Sequence, residues 1–179
     1  MDPEGRLYVL VSGPPASGKS TLAPQIAAHL GLPLLAKDVV KDALMRAIPP
    51  ADVEASRRLG SAAVAALYAL AADATRGAVI ESVFYRSRAL PDIAALPGRV
   101  LEVFCRCERD IALTRYRARA GTRAAGHLDV ERTPDELWHP EIVEPLAGGW
   151  PVVDVDTNDA VDMPALLQRI DAEMAKLAG

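Results

Sequence analysis

The sequence predicts a three-layer α/β domain built on a parallel sheet. Strand-like and helix-like segments alternate along all 179 residues, which is typical of parallel strands joined by right-handed helical crossovers. The strand-like segments are short, continuously apolar runs such as residues 7–11, and these indicate strands buried on both faces. The length fits one hydrophobic core, so we expect a single domain over residues 1–179.

The elements follow one another in a regular order. The first helix is expected to end at Gly31 and the second before Pro49, because glycine and proline commonly terminate helices. An alanine-rich run forms the third helix, which Gly77 ends. The predicted strands are residues 7–11, 33–36, 78–80, 100–105 and 152–155, and the predicted helices are residues 18–30, 38–48, 52–76, 110–120 and 163–177. The remaining segment, from about 117 to 149, is polar and interrupted by glycine and proline, so we interpret it as a lid or substrate loop.

Composition and charge restrict the partners and the location. Twenty basic and 24 acidic residues give a net charge of −4, so no general field attracts polyanions and any phosphate must be bound locally. No apolar run reaches the roughly 18 to 20 residues that span a bilayer. The first five residues are acidic where a signal peptide is basic, and we expect a cytoplasmic protein. Cys105 and Cys107 are expected to be small core residues, with a redox role as the alternative.

A glycine-rich segment carries the most specific pattern in the chain. Residues 13–20 match G-x-x-x-x-G-K-[ST] in full, directly after a predicted strand and directly before a predicted helix. Such a loop turns successive backbone N–H groups around a phosphate at the positive end of a helix. Lys19 would reach the β- and γ-phosphates and Ser20 would supply a hydroxyl to Mg²⁺. The predicted nucleotide-binding residues here are Gly13, Pro14, Pro15, Ala16, Ser17, Gly18, Lys19, Ser20 and Thr21.

The alternative for this segment is a glycine-rich turn with an exposed lysine. Under the nucleotide-binding interpretation, we expect the Lys19 ammonium to have no partner within the protein when nucleotide is absent. The two interpretations therefore differ in the expected environment of one side chain.

With this loop near its N-terminus, the chain resembles the small P-loop kinases of the AAA_33 type. These are related to polynucleotide 5′-hydroxyl kinases, chloramphenicol phosphotransferase and zeta-toxin-like kinases. The resemblance extends over nearly the whole chain. It implies a five-stranded parallel sheet in the order 2-3-1-4-5, transfer of the γ-phosphate of ATP to a hydroxyl, and a lid that carries arginines.

Two residues after the second strand are candidates for the acceptor side. Asp38 lies where open α/β sheets collect their ligands, and the resemblance implies that it accepts the proton of the attacking hydroxyl. The alternative is that Asp38 caps a helix beginning at Val39. Lys41 matches a basic residue that holds the acceptor in polynucleotide kinases, and its alternative is a solvent-facing charge.

The third strand ends in another carboxylate. Glu81 follows a buried apolar run, where an ionisable group is costly unless it finds a partner. The resemblance implies that this residue serves either the metal or the acceptor, and the choice stays open. Arg86, with Arg88, could bind a substrate anion, although both also fit the start of an exposed helix.

Arginines cluster at the start of the proposed lid. Arg115 and Arg119 are four residues apart and share a helix face, so both could reach one triphosphate, and Arg123 follows on the acceptor side. Arginine suits this role because its planar fork binds phosphate oxygens in pairs. The alternative is favourable charge at a helix C-terminus. His127 could contact both lid and substrate, although a single loop histidine usually contacts neither.

The residues after the fifth strand complete the predicted site. The resemblance implies that adenine packs against the loop containing Asp156, Thr157 and Asn158. Their composition is equally that of a capping turn for the last helix.

These patterns predict an ATP-dependent, Mg²⁺-dependent kinase that acts on a hydroxyl of a small molecule. One alternative is a polynucleotide 5′-hydroxyl kinase, which the net charge of −4 and an aromatic content of 4% disfavour, because a strand needs a basic channel and stacking platforms. The other alternative is a nucleotide-binding regulatory ATPase. No oligomeric state follows from these patterns.

Overall fold

The computed structural model of the chain describes residues 5–120 and 133–178 and confirms the α/β architecture. Five parallel strands form one sheet in the order β2-β3-β1-β4-β5, as the resemblance implies. The strands are β1 (Leu7–Ser12), β2 (Leu34–Ala36), β3 (Gly77–Glu81), β4 (Arg99–Arg106) and β5 (Val152–Asp156). The helices are α1 (Lys19–Leu30), α2 (Lys37–Ala47), α3 (Val53–Asp73), α4 (Arg86–Ala94), α5 (Arg109–Ala120), α6 (Pro134–Leu137) and α7 (Met163–Ala178).

The central strand β1 divides the core into two layers. Its side chains alternate between the faces of the sheet, as strand geometry requires. Val9 and Val11 pack with α1 and α7 on one face, whereas Tyr8 and Leu10 pack with α3 and α4 on the other. All four side chains are fully buried, so the end of β1 is a rigid platform for the loop that follows it.

Three features differ from the sequence prediction. Helix α3 ends at Asp73 instead of residue 76, because a turn in which Gly77 N donates to Ala74 O (3.3 Å) leads into β3. Helix α4 is absent from the predicted helices, and it agrees with the alternative that residues 86–88 begin an exposed helix. Helix α6 interrupts the proposed loop, since Thr133 and Glu136 cap its start reciprocally.

The parallel arrangement gathers the carboxyl ends of all five strands at one edge of the sheet. The phosphate-loop segment, α2 and the loop after β5 all begin there. Arg123 and His127 lie outside the described residues. In the described ranges, no helix combines the length and apolarity needed to cross a bilayer.

Candidate active site

A cleft of about 820 Å³ opens at this edge of the sheet. Its walls come from the start of α1, from α2, α3 and α4, and from the end of β3. The sequence-predicted residues that line it are Pro15, Ala16, Gly18, Lys19, Ser20, Asp38, Lys41, Glu81, Arg88 and Arg119. The structure thus brings residues from five separate segments of the chain to one cavity.

The loop at residues 13–20 has the backbone that its glycines permit. Gly13 and Gly18 have φ values of +130° and +88°, which side chains strongly disfavour. A Cβ atom at Gly13 would lie 2.6 Å from the carbonyl oxygen of Cys105, so this position also has no room for a side chain. Ser17 is fully buried and its hydroxyl has no hydrogen-bond partner among the described residues. The loop is therefore a cradle at the N-terminus of α1 that fits a nucleotide phosphate.

Lys19 is buried within this cradle. Only 6% of the residue is exposed, and its Nζ donates a 2.6 Å hydrogen bond to the carbonyl oxygen of Pro14. The expectation of a lysine without a protein partner is therefore wrong, as is the alternative of an exposed lysine. Burial lowers the pKa of Lys19, while the carboxylates of Glu81 and Asp38 oppose that shift. The ammonium is held dehydrated inside the loop, where it interacts strongly with an incoming anion.

Ser20 and Glu81 present oxygen atoms to the same cleft. Ser20 is exposed on the first turn of α1, and Glu81 is 9% exposed at the end of β3. Hydroxyl and carboxylate oxygens are the ligands that Mg²⁺ takes in proteins. The described ranges contain no group of three or more His, Cys, Asp or Glu suited to a metal. The donor set consequently fits a Mg²⁺ ion held jointly with nucleotide phosphates and water.

Asp38 lies in the first turn of α2 and lines the cleft. The N-cap of this helix is Ala36, without a side-chain cap, so the interpretation of Asp38 as the N-cap is wrong. Lys37 Nζ donates to Asp38 Oδ1 over 3.0 Å, and the carboxyl side chain remains 46% exposed. Asp38 is thus an accessible carboxylate with a neighbouring cation.

Lys41 lies between α2 and α3 and does not face solvent. It is 2% exposed and donates a 2.9 Å hydrogen bond to the hydroxyl of Ser56 on α3. The alternative of a solvent-facing charge is therefore wrong. Gly60 on α3 leaves space for the aliphatic part of the Lys41 side chain. A Cβ atom placed at Gly60 would lie 4.0 Å from the side-chain carbons of Lys41. The sequence analysis did not identify Ser56, because nothing in the pattern of an alanine-rich helix indicates that a serine on it bonds to Lys41.

The two arginines that the sequence analysis predicts for a lid, both on α5, point to different sites. Arg119 lines the cleft, and its charge contributes to lowering the pKa of Lys19. Arg115 instead donates to the carbonyl oxygens of Thr157 (2.7 Å) and Asn158 (2.6 Å). Arg115 therefore holds the loop after β5, and the four-residue spacing alone could not distinguish the two roles.

Arg86 is exposed at the start of α4 and does not line the cleft. Arg88, two residues later, does line it, with its guanidinium carbon 5.7 Å from the ring centre of Tyr85. Of these two arginines, the structure brings only Arg88 to the predicted acceptor side.

The loop after β5 lies beside the phosphate loop. Thr157 is 4% exposed, and its Cβ lies 3.7 Å from the position of a Cβ atom at Gly18. The carboxylate of Asp156 accepts from the backbone N–H of Asn158 over 2.8 Å, which closes a local turn. Asp162, and not this turn, caps α7 by accepting from Ala165 N over 3.1 Å. The interpretation of residues 156–158 as the cap of the last helix is therefore wrong.

A buried carboxylate on β4, which the sequence analysis did not single out, stabilises the structure next to the site. Glu102 on β4 is fully buried and accepts hydrogen bonds from Ser12 Oγ (2.6 Å), Leu146 N (3.1 Å) and Trp150 Nε1 (3.3 Å). The sequence pattern that could have identified Glu102 is a carboxylate inside an otherwise apolar strand. Glu102 connects the strand that carries the phosphate loop to the segment before β5.

Comparison with known proteins identifies the family. The family model described as an AAA domain, AAA_33, matches residues 9–138, which is more than half of the chain. The chain belongs to the AAA_33 family. It is also similar to a candidate kinase from Chloroflexus aurantiacus, with 30% sequence identity, a TM-score of 0.85, and coverage of 95% of this chain and 99% of that one. No functionally curated protein shows significant similarity to the sequence.

More distant structures share the fold of this AAA_33 protein. A gluconokinase from Sinorhizobium meliloti is 20% identical, with a TM-score of 0.57 and coverage of 98% of this chain and 95% of that one. A shikimate kinase from Acinetobacter baumannii, in complex with shikimate, is 18% identical, with a TM-score of 0.66 and the same two coverages. The resemblance to small P-loop kinases is thereby confirmed.

Proposed function

We propose that this protein is an ATP-dependent kinase that transfers the γ-phosphate to a hydroxyl of a small-molecule acceptor. The observation that carries the proposal is that the buried Lys19 of the phosphate loop and the accessible carboxylate of Asp38 line one cleft. The first residue binds phosphate and the second suits an acceptor hydroxyl. Both groups are needed for phosphoryl transfer, and both face the same space.

The chemistry assigned to each residue follows from its position. The acceptor oxygen bonds to the γ-phosphorus, the bond from that phosphorus to the β–γ bridging oxygen breaks, ADP leaves, and Asp38 accepts the acceptor proton. Lys19 and Arg119 stabilise charge on the transferring group. Ser20 and Glu81 would hold Mg²⁺, which neutralises phosphate oxygens when bound with the nucleotide.

The remaining candidates bind and position the two substrates. In this proposal Arg115 fixes the loop of Asp156 and Thr157 against which the nucleobase packs. Lys41 holds the acceptor from the junction of α2 and α3. Arg86 is left out because it is exposed outside the cleft. Arg123 lies outside the described residues and keeps its place on the acceptor side as a prediction.

The test is a transfer assay with ATP labelled at the γ-phosphate. The acceptors are sugars, polyols, antibiotics, nucleosides and 5′-hydroxyl oligonucleotides, and the products are separated by chromatography. We expect label on a small molecule, and no such product from a Lys19→Met variant. Label found only in inorganic phosphate would favour a regulatory ATPase, and label on the oligonucleotide would favour a polynucleotide kinase.

A further inference from the structure

Tyr68 on α3 presents a hydroxyl that the described part of the protein does not satisfy. The residue is 9% exposed and lines the cleft, yet its Oη has no hydrogen-bond partner among the described residues. Buried polar groups in folded proteins are nearly always hydrogen-bonded, because an unsatisfied one loses its water without compensation. Because Tyr68 lines the cleft, a molecule bound there can supply this partner.

A second tyrosine shows what distinguishes this position. The hydroxyl of Tyr8 is also buried without a partner among the described residues, but Tyr8 lies on β1 within the core and does not line the cleft. An unsatisfied hydroxyl alone is thus no sign of a ligand. At Tyr68 it coincides with a cavity that a small molecule can occupy.

The walls around Tyr68 indicate the chemistry of that molecule. Val39, next to Asp38, is 68% exposed and lines the cleft with Phe84 and Tyr85, so the acceptor meets apolar and aromatic surface. Binding sites commonly combine such walls with a few polar groups that fix orientation.

Charge in the cleft outside the groups assigned to phosphate and metal is nearly balanced. Apart from Lys19, Arg119 and Glu81, the described residues that line it include four basic and three acidic side chains. Ion pairs join Lys37 to Asp38 at 3.0 Å and Arg57 to Glu136 at 2.8 Å. This near balance favours an acceptor without net charge.

Resting on the proposed kinase function, we infer that the acceptor is an uncharged polyol, and that a hydroxyl other than the reacting one hydrogen-bonds to the hydroxyl of Tyr68. Tyr68 is then a specificity-determining residue. Burial, with a smaller effect of the Asp92 carboxylate, raises the pKa of Tyr68 above its ordinary value, so the phenol stays protonated and can both donate and accept.

The test measures acceptor binding directly, with the intact chain saturated by a non-hydrolysable ATP analogue. Calorimetry compares two uncharged polyols, glucose and myo-inositol, with the anionic gluconate and the cationic glucosamine. Tyr68→Phe is the test variant and Tyr8→Phe its matched control, since each removes one unsatisfied hydroxyl. We expect an uncharged polyol to bind best, Tyr68→Phe to weaken it about tenfold or more, and Tyr8→Phe to leave it unchanged.

A ligand scan keeps the inference testable if Tyr68→Phe does not fold. In the wild-type protein, removing one hydroxyl of the bound polyol at a time should identify a non-reacting position whose loss weakens binding about tenfold or more. The inference would be overturned if neither uncharged polyol bound, or if a charged ligand bound more tightly. It would also be overturned if no non-reacting hydroxyl of the polyol mattered for binding, or if Tyr68→Phe and Tyr8→Phe weakened binding equally. If a polyol binds but no phosphate is transferred to it, only the kinase function is refuted. If phosphate is transferred to gluconate and to no uncharged polyol, only the inference of an uncharged acceptor is refuted.

Discussion

The guanidinium of Arg115 donates a 2.7 Å hydrogen bond to the carbonyl oxygen of Thr157, 42 residues further along the chain. The same side chain reaches the carbonyl of Asn158. These two bonds fix the loop after β5 against α5, close to Gly18 of the phosphate loop. An arginine fork is suited to such a clamp because it presents several donors in fixed geometry.

We expect Arg115→Lys to weaken ATP binding several-fold while changing kcat little, because lysine keeps the charge but cannot make both bonds in the same geometry. Calorimetric titration with ATP checks this, and Arg117→Lys on the exposed side of α5 is the control. A large loss of kcat at unchanged ATP affinity would place Arg115 at the phosphates instead.

Arg119→Lys should behave in the opposite way. If Arg119 stabilises charge on the transferring phosphoryl group, the variant should lose about tenfold or more in kcat and keep its ATP affinity, because only interactions stronger in the transition state speed the chemistry. Single-turnover kinetics with saturating ATP provide the measurement. Turnover at the wild-type rate would show that Arg119 is a helix-end charge and no more.

Lys19→Met should abolish ATP binding and also stabilise the nucleotide-free protein. Burial lowers the pKa of Lys19 from its ordinary value of 10.5, so the unfolded chain binds this proton more tightly than the folded one. Stability from this group is therefore fully present only above pH 10.5 and is lost as pH falls through the lowered folded pKa. At pH 8 we therefore expect the variant to have a higher Tm than the wild-type protein.

Thermal melts between pH 8 and pH 10.5 distinguish the effect of the buried Lys19 charge from other effects of the substitution. The difference in Tm between the wild-type protein and the variant should shrink as pH rises. Lys176→Met is the control, since that side chain is 68% exposed. A Lys19→Met protein less stable than wild type at pH 8 would mean that the bond to Pro14 outweighs the cost of burial.

Asp38→Asn should retain ATP affinity and lose kcat by about 10² to 10⁴, the usual contribution of a general base. The amide keeps the shape of the side chain but cannot accept the hydroxyl proton. Steady-state kinetics with the identified acceptor test this, with Asp92→Asn on the same cleft as the control. Near-wild-type turnover would transfer the role to Glu81, the other carboxylate at this edge of the sheet.

Glu102→Gln should lower the free energy of unfolding by about 2 kcal/mol or more, because bonds to a charged acceptor are strong and an amide nitrogen would face a donor. Urea unfolding provides the value, and Glu108→Gln on the exposed surface is the control. Unchanged stability would show that water replaces the bonds from Ser12 and Leu146.

Local patterns explain why so much of the fold was predictable. A buried strand, a glycine-rich turn and a helix start lie within residues 7–20, so the phosphate loop needed no knowledge of distant contacts. The third strand could be placed with its carboxylate at the sheet edge for the same reason. The strand order came from the family resemblance and was confirmed.

Contacts between distant residues explain what was missed. Lys41 is buried only because α3 packs on α2 and brings Ser56 to it, and Arg115 turns from the cleft because a loop far along the chain offers two carbonyl groups. Neither partner can be identified from spacing. Tyr68 has a role only through the cavity beside it, which no local pattern describes.

The bond between Glu102 and Trp150 also makes the protein suitable for intrinsic fluorescence. The chain has two tryptophans, and Trp150 is fixed to the buried carboxylate. Trp138 is half-buried at the end of α6, between two residues that line the cleft, Glu136 and His139. We therefore expect ligand binding in the cleft to alter the emission of Trp138 more than that of Trp150, so substrate binding can be followed optically without an attached dye.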